Sequence, residues 1–302
     1  MKAEERFEQE ESARSLIREM REFVRSSPDN VMPGQEEEMN IFYRPIVKFA
    51  DGDDPLFKQY KKIIASEHMT PREVLALGTG KARSELPAKI SVISWILPVH
   101  EKTRKTNRKE TVLPSRLWSH TRWFGEKLNN ALRRHIVDYL TEAGYMAVAP
   151  ASSSLLKMAS NENGPYSNWS ERHIAFAAGQ GTFSLSDGFI SEKGIAHRCG
   201  SVVTDMPLPV TKRTAQSPYE NCLFYFDGSC GKCIARCPAG AISEKGHDKI
   251  KCSRYLEEIG YFKVSQSGEY DLEASIAGCG LCQTGVPCEH AVPGRIRRNR
   301  EV

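Results

Sequence analysis

Cysteine placement constrains this chain more than any other feature. The stretch CGKCIARCPAGAI at 230–242 carries Cys230, Cys233 and Cys237, with Pro238 directly after the last. A later group comprises Cys252, Cys279, Cys282 and Cys288, and Cys222 lies just upstream. Eight of the nine cysteines fall within 222–288, while Cys199 stands alone in HRCGSVV. An odd number crowded at one end, with no export signal, argues against a disulfide framework and for metal.

The run C-x2-C-x3-C-P is the pattern of bacterial-type ferredoxins, which add one further cysteine in front. A tight turn of small residues lets neighbouring sulfurs converge on one cluster, and the proline stops a helix from continuing past the last ligand. Asp227 occupies the position of the leading cysteine. Cys222, five residues earlier, is the replacement thiolate, and Asp227 as an oxygen ligand or an open three-iron site are the alternatives. Cross-pairing assigns Cys222, Cys230, Cys233 and Cys288 to one 4Fe-4S cluster and Cys237, Cys252, Cys279 and Cys282 to the other. Zinc also takes four thiolates and is the competing metal.

The rest of the composition is that of an ordinary globular chain: 302 residues, 40% hydrophobic and 26% charged, with a formal net charge of +4. No apolar run approaches the roughly 18 residues of a membrane span. The first twenty residues are acidic and charged, unlike a secretory signal or transit peptide, so a cytoplasmic location is expected. Two basic runs, KTRKTNRK at 102–109 and RIRRNR at 295–300, read first as solvated faces and second as contacts for nucleic acid or an acidic partner.

Residues 1–28 read as one helix, 29–40 as a linker and DDPLFKQYKKIIA as a short amphipathic helix. Thr70, Pro71 and Glu73 form a helix start signal. KISVISWILPV at 89–99 has the β-branched content of a buried strand. Leu117, Phe124, Leu128, Leu132, Ile136 and Leu140 lie on one face of a long helix over 115–143. AGYMAVAP reads as a strand, the Ser- and Asn-rich stretch after it as loop, ERHIAFAAG as a helix with Asn168 and Glu171 as a capping pair, and GIAHRCGSVVTD as a strand. The Pro- and Thr-rich residues 208–219 mark a boundary.

The segments CGKCIARCPAGAI, KCSRYLEE and AGCGLCQ resemble the ferredoxin module of epoxyqueuosine reductases and reductive dehalogenases. Upstream, ERHIAFAAGQGTFSLSDGFISEKGIAHRCGSVVTDMPL is similar to the segment that precedes the clusters in both groups. FADGDDPLFKQY and HMTPREVL resemble a branch close to the dehalogenases. The resemblance implies an α+β protein with three parts. These are a helical N-terminal cap over 1–84, a nitroreductase-like α/β cobalamin-binding core over 85–215, and a ferredoxin-like domain with two 4Fe-4S clusters over 216–302. It implies cobalamin as cofactor, an external electron donor such as ferredoxin or flavodoxin, a small-molecule substrate ahead of tRNA, and no membrane. The reaction implied is reductive cleavage of a C–O or C–halogen bond.

On the same basis Tyr166, Arg172, His173 and Lys193 are candidates for delivering a proton, Tyr166 by likeness to the dehalogenase tyrosine that a basic residue assists. Trp169, Gly179, Gly181, Ser184, Gly188 and His197 are candidate cofactor contacts; the glycines permit close backbone approach to a large planar ligand, or only shape turns. The aspartate of a VD-x-x-P motif in epoxyqueuosine reductases has no counterpart; Ala151 and Ser152 stand there. Cys199 reads as a small buried hydrophobe. An accessory electron-transfer iron–sulfur protein is the alternative to an enzyme, and a zinc-stabilised nucleic-acid-binding protein the third reading.

Overall fold

A computed structural model describes residues 3–258 and 278–300. Helix α1 (Ala3–Ser26) leads to strand β1 (Ile46–Asp51), helices α2 (Pro55–Ile63) and α3 (Pro71–Thr79), strand β2 (Ser91–Pro98), helices α4 (Glu101–Arg108) and α5 (Arg116–Glu142), and strand β3 (Ala147–Val148). There follow β4 (Met158–Asn161), β5 (Gly164–Ser167), α6 (Glu171–Ala177), β6 (Gly181–Phe183), β7 (Phe189–Ser191) and β8 (His197–Thr204). The cysteine-rich end holds α7 (Leu223–Asp227), α8 (Lys232–Arg236), β9 (Ile242–Ser243), β10 (Gly246–His247), α9 (Lys249–Glu258) and α10 (Gly294–Arg300). The fold is mixed helix and sheet.

The central sheet has the order β1-β2-β8-β3, with each neighbouring pair antiparallel. All eight residues of β2 are buried, because helices cover both faces. Ile93, Trp95 and Leu97 point to α1 and α5, where Leu128, Leu132, Ile136 and Leu140 are fully enclosed. Val92 points the other way, to a cluster with Phe57, Val74, Leu75 and Ile174 from α2, α3 and α6. This is the alternation that a two-residue strand period demands. Each enclosed Leu or Ile contributes roughly 1.5–3 kcal/mol of burial. Gly200 on β8 lies opposite Trp95; a Cβ there would come within 2.4 Å of the indole ring.

The start signal at Thr70 is a complete capping box: Glu73 N–H donates to Thr70 Oγ1 at 3.3 Å and Thr70 N–H to Glu73 Oε2 at 2.8 Å. Two expectations need correction. The first 84 residues are not purely a helical cap, because Ile46–Asp51 pairs with β2 as an edge strand of the main sheet. The Ser- and Asn-rich stretch after β3 is not all loop, because β4 and β5 form an antiparallel hairpin there. Residues 208–219 carry no helix or strand, yet Thr211 runs along β1, giving its N–H to Phe49 O at 2.9 Å. Among the described residues no helix is long and apolar enough to cross a membrane.

Candidate functional site

The cysteines come from short elements that pack around a small apolar cluster including Leu185, Ile190, Ile195 and Ile242. Cys222 precedes the first turn of α7, Cys233 lies in α8, and Cys237 ends α8, where its Sγ accepts from Ala241 N–H at 3.4 Å. Cys252 sits on α9, and Cys279 and Cys282 flank the start of a 3-10 turn at Leu281–Gln283. Most of the link between Cys252 and Cys279 lies outside the described residues.

Cys222, Cys230, Cys233 and Cys288 line one cavity, with Ser184 and Ser186 of the core on its wall. Burial pushes the Cys288 thiol up, and the facing sulfurs of Cys222, Cys233 and Cys230 push it further. Burial lifts Cys252 to about 11, with Cys279 and Cys237 as the charges that add to it. Cys282 is raised well above its ordinary value by burial, then by Cys279, Cys237 and Cys252. Its side chain lines the same cavity as Cys222, Cys230, Cys233 and Cys288. Buried thiols that repel each other as anions become stable thiolates only beside a cation. Among the described residues no three His, Cys, Asp or Glu side chains converge as ligands of a single metal ion. Asp227 stands apart: it is exposed, pairs with Arg295 at 3.0 Å and accepts from Ser229 N–H at 3.0 Å.

The cysteine-bearing end is clamped to the core through α4, whose basic run is not simply a solvated face. Glu289, only 1% exposed, takes Arg104 at 3.0 Å and Arg108 at 2.6 Å. Arg236 gives hydrogen bonds to the carbonyls of Asn107, Glu110, Leu281 and Thr284. Gly280, with φ 67°, lies so near Trp118 that a Cβ would fall within 2.0 Å of the indole. The sequence offered no signal for these contacts beyond the charge of the run itself.

A cavity of about 700 Å3 opens where α2, the β4–β5 hairpin, α6 and the cysteine-bearing end meet. Tyr60, Tyr166, Arg172, His173, Asp187 and Lys249 are among its walls. Three of the proton-delivery candidates are thus together. His173 is corrected in its role: burial lowers its pKa to about 3, and Arg172 adds to this, so the ring is neutral near pH 7. Its Nδ1 is 2.8 Å from Ser170 Oγ, and its carbonyl accepts from the Tyr60 hydroxyl at 2.8 Å. Lys193 is exposed in the turn after β7 and does not line the cavity.

Asp187 was not singled out in the sequence. It has φ 57°, the one non-glycine residue among those described in the left-handed region. Its carbonyl accepts from Arg172, and its carboxylate lies 3.3 Å from His247 Nδ1 on β10. Burial works to raise its pKa, but His247 and Arg172 hold it below the ordinary carboxylate value. The signal was the Ser-Asp-Gly turn, since Asp tolerates this backbone region better than most residues.

The cofactor-contact candidates scatter. Ser184 faces the first thiol cavity. Gly179 and Gly181 line a smaller cavity of about 110 Å3 with Lys48 and Gln180. Trp169 is corrected: it is 1% exposed, stacks with His68 and donates from Nε1 to Ser201 Oγ at 3.0 Å, so it is core. Gly188 packs against Ile195, and His197 is held by the Gly194 carbonyl at 2.9 Å with its pKa lowered by burial to about 4; neither lines the large cavity. Glu171 is not a capping partner of Asn168. It pairs with Arg133 at 3.2 Å and accepts from Ser201 Oγ at 2.7 Å, while Asn168 bonds Lys157 N–H and Leu155 O. Burial lifts the Cys199 thiol to about 12, and Cys199 packs with Phe183 and Phe189 as a small hydrophobe.

No protein-family model matches the chain. In sequence it is similar to a reductase, with 31% identity over 120 residues, 39% of this chain and 29% of the relative. That relative is the epoxyqueuosine reductase of Bacillus anthracis, so the matched stretch spans less than a third of its length. The match agrees with the superfamily read from the cysteine-rich and glycine-rich segments. Among solved structures, the Bacillus subtilis epoxyqueuosine reductase is similar at 16% identity and a TM-score of 0.43, over 94% of this chain and 68% of that one. A catabolic reductive dehalogenase is similar at 14% identity and a TM-score of 0.49, over 85% and 31%.

Proposed function

We propose that the chain is an oxidoreductase that carries two 4Fe-4S clusters and a cobalamin and reductively cleaves a C–O or C–halogen bond. One observation carries the reading. Cys222, Cys230, Cys233, Cys282 and Cys288 line one cavity, and its wall includes Ser184 and Ser186, in the turn that carries Asp187 into the 700 Å3 cavity. Cys222, Cys230, Cys233 and Cys288 would hold the cluster nearer the cavity, and Cys237, Cys252, Cys279 and Cys282 the one that meets an external ferredoxin or flavodoxin. The donor set fits: a buried Cys222 and seven half-buried thiols, with small residues between them. The large cavity fits a corrin in the chemistry of its walls, with Asn161, Asn163, Ser167 and Ser170 offering polar groups beside apolar Leu56, Ile63 and Ile64. When bound, cobalamin supplies a strongly reducing, nucleophilic cobalt, and the clusters supply its electrons.

The chain's own part is to bind, orient and protonate. Tyr166 stands in the cavity wall with Arg172, which supports a phenol proton donor with a basic residue on the same wall. His173, neutral, serves as a hydrogen-bonding wall rather than an acid. Asp187 ties Arg172 to His247 and so couples the cavity to the cysteine-bearing end. A small-molecule substrate is the first reading. Reduction of epoxyqueuosine is the second, favoured by the 31% identity to a reductase of that name. The accessory electron carrier remains as the non-enzymatic alternative, and the large cavity favours the enzyme. Anaerobic purification from cobalamin-supplied cells, with iron, sulfide and cobalt quantified together, tests the proposal. About eight irons with one cobalt per chain supports it; the same iron with no cobalt under saturating supply rejects the cobalamin enzyme in favour of the electron carrier.

A further inference from the structure

A second groove, of about 540 Å3, lies between α1 and the segment that leads into β1, and it shares no wall residue with the 700 Å3 cavity. Arg14, Arg18, Arg21 and Arg25 come from one side of α1, and Arg44 meets them from the other wall. Arg14 is offset by Glu10 and Glu11, and Arg25 by Glu22. Arg18 has only the Ser15 hydroxyl, and Arg21 and Arg44 have no carboxylate partner among the described residues. Three guanidinium groups therefore line one depression without a paired carboxylate, and Glu22, the acidic group on the same wall, is taken by Arg25.

Between them the half-buried Ile17 offers an apolar surface, with Asn40 beside it and the enclosed Val24 and Phe42 behind. Tyr43, 42% exposed, presents a flat ring beside it. That ring is held in place, 5.0 Å from His100 and with its hydroxyl accepting from Glu101 N–H at 3.3 Å. The two walls are fixed to each other by Asn30, 1% exposed. Its Nδ2 donates to Val24 O at 3.0 Å and Phe42 O at 3.2 Å, and its Oδ1 accepts from Phe42 N–H at 2.9 Å. The groove is thus built rather than left over between loose side chains.

A cationic rim around an apolar floor with a fixed aromatic ring matches a ligand that is anionic at one end and flat and apolar at the other. A bare anion would leave the floor unused, and an apolar ligand would leave the arginines unpaired. We propose that this groove binds a nucleotide, with the base against the exposed Tyr43 ring and the phosphates among Arg18, Arg21 and Arg44. The volume lies within the range of small-ligand sites, roughly 300–1,000 Å3. This inference is independent of the redox reading, since its readout needs neither iron nor cobalt.

Calorimetric titration of the purified full chain with ATP, AMP and inorganic pyrophosphate tests it. ATP is expected to bind, to weaken as salt rises, and to lose at least about tenfold in affinity in Arg18→Glu and in Arg21→Glu. Arg6→Glu, on the same helix but outside the groove, is expected to bind as the parent does. Tyr43→Ala is expected to weaken ATP and not pyrophosphate, with circular dichroism confirming that every variant folds. Absence of ATP binding, pyrophosphate binding as tight as ATP, or binding of a short single-stranded RNA without ATP would each overturn the proposal. So would a dimer that Arg21→Glu dissolves, which would mean that the acidic Glu36–Glu38 stretch of a second copy fills the groove.

Discussion

Cys222 and Asp227 differ in a way that spacing alone could not decide. Both stand near where a leading ligand is needed, but Cys222 is 8% exposed on the wall of the thiol cavity and Asp227 is outside, paired with Arg295. The proposed wiring therefore expects Cys222→Ser to lose about half the bound iron and Asp227→Asn to keep it, measured on anaerobically prepared protein. The buried histidines supply a second test. Burial lowers His68 to about 4, and its Nε2 accepts from Ser170 N–H at 3.1 Å, so the folded chain holds it neutral. Its folded pKa lies below its unfolded value of about 6.5, so stability falls as pH drops from that value toward 4. The loss is up to about 1.4 kcal/mol per pH unit for such a residue. Thermal melts between pH 7 and pH 5 are expected to show a steeper decline for the parent than for His68→Gln. At this scale the sequence was most informative where chemistry fixes spacing, as in Cys230, Cys233 and Cys237. It was least informative where a side chain's task depends on distant neighbours, as for Trp169 with Ser201 or Asp187 with His247.

Among the elements, α5 and α3 were readable because each satisfies a local rule, an apolar face in one and a capping box in the other. β1 was not, because IVKFA is short, sits among charged residues and owes its state to pairing with β2. The β4–β5 hairpin was missed for a related reason: all four residues of β4 are exposed, so no buried face marks the strand. The basic run of α4 illustrates the opposite error, since charge suggested solvent or nucleic acid while Arg104 and Arg108 meet Glu289. Leaving a buried guanidinium without its partner costs about 3–5 kcal/mol. Glu289→Ala is therefore expected to lower unfolding free energy by that order in urea titration, and Glu289→Asp by less. A change within 0.5 kcal/mol, the range of an ordinary surface substitution, would contradict the clamp.

For the whole molecule, helices lie above and below one antiparallel sheet, and the cysteine-bearing end is attached to this core through α4, Trp118 and the Asp187–His247 contact. The sequence carried the mixed helix-and-sheet character of this arrangement through its periodic segments. It did not carry the docking, because those contacts join residues between 60 and 185 positions apart. The central claim is that the two sets of four thiols hold two clusters close enough to pass electrons. Electron paramagnetic resonance of the dithionite-reduced, anaerobically prepared chain tests this most directly. Two magnetically interacting 4Fe-4S signals are expected, reduced to one uncoupled signal in Cys252→Ser. A folded chain that gives no such signal, or two signals with no mutual broadening, would contradict the account.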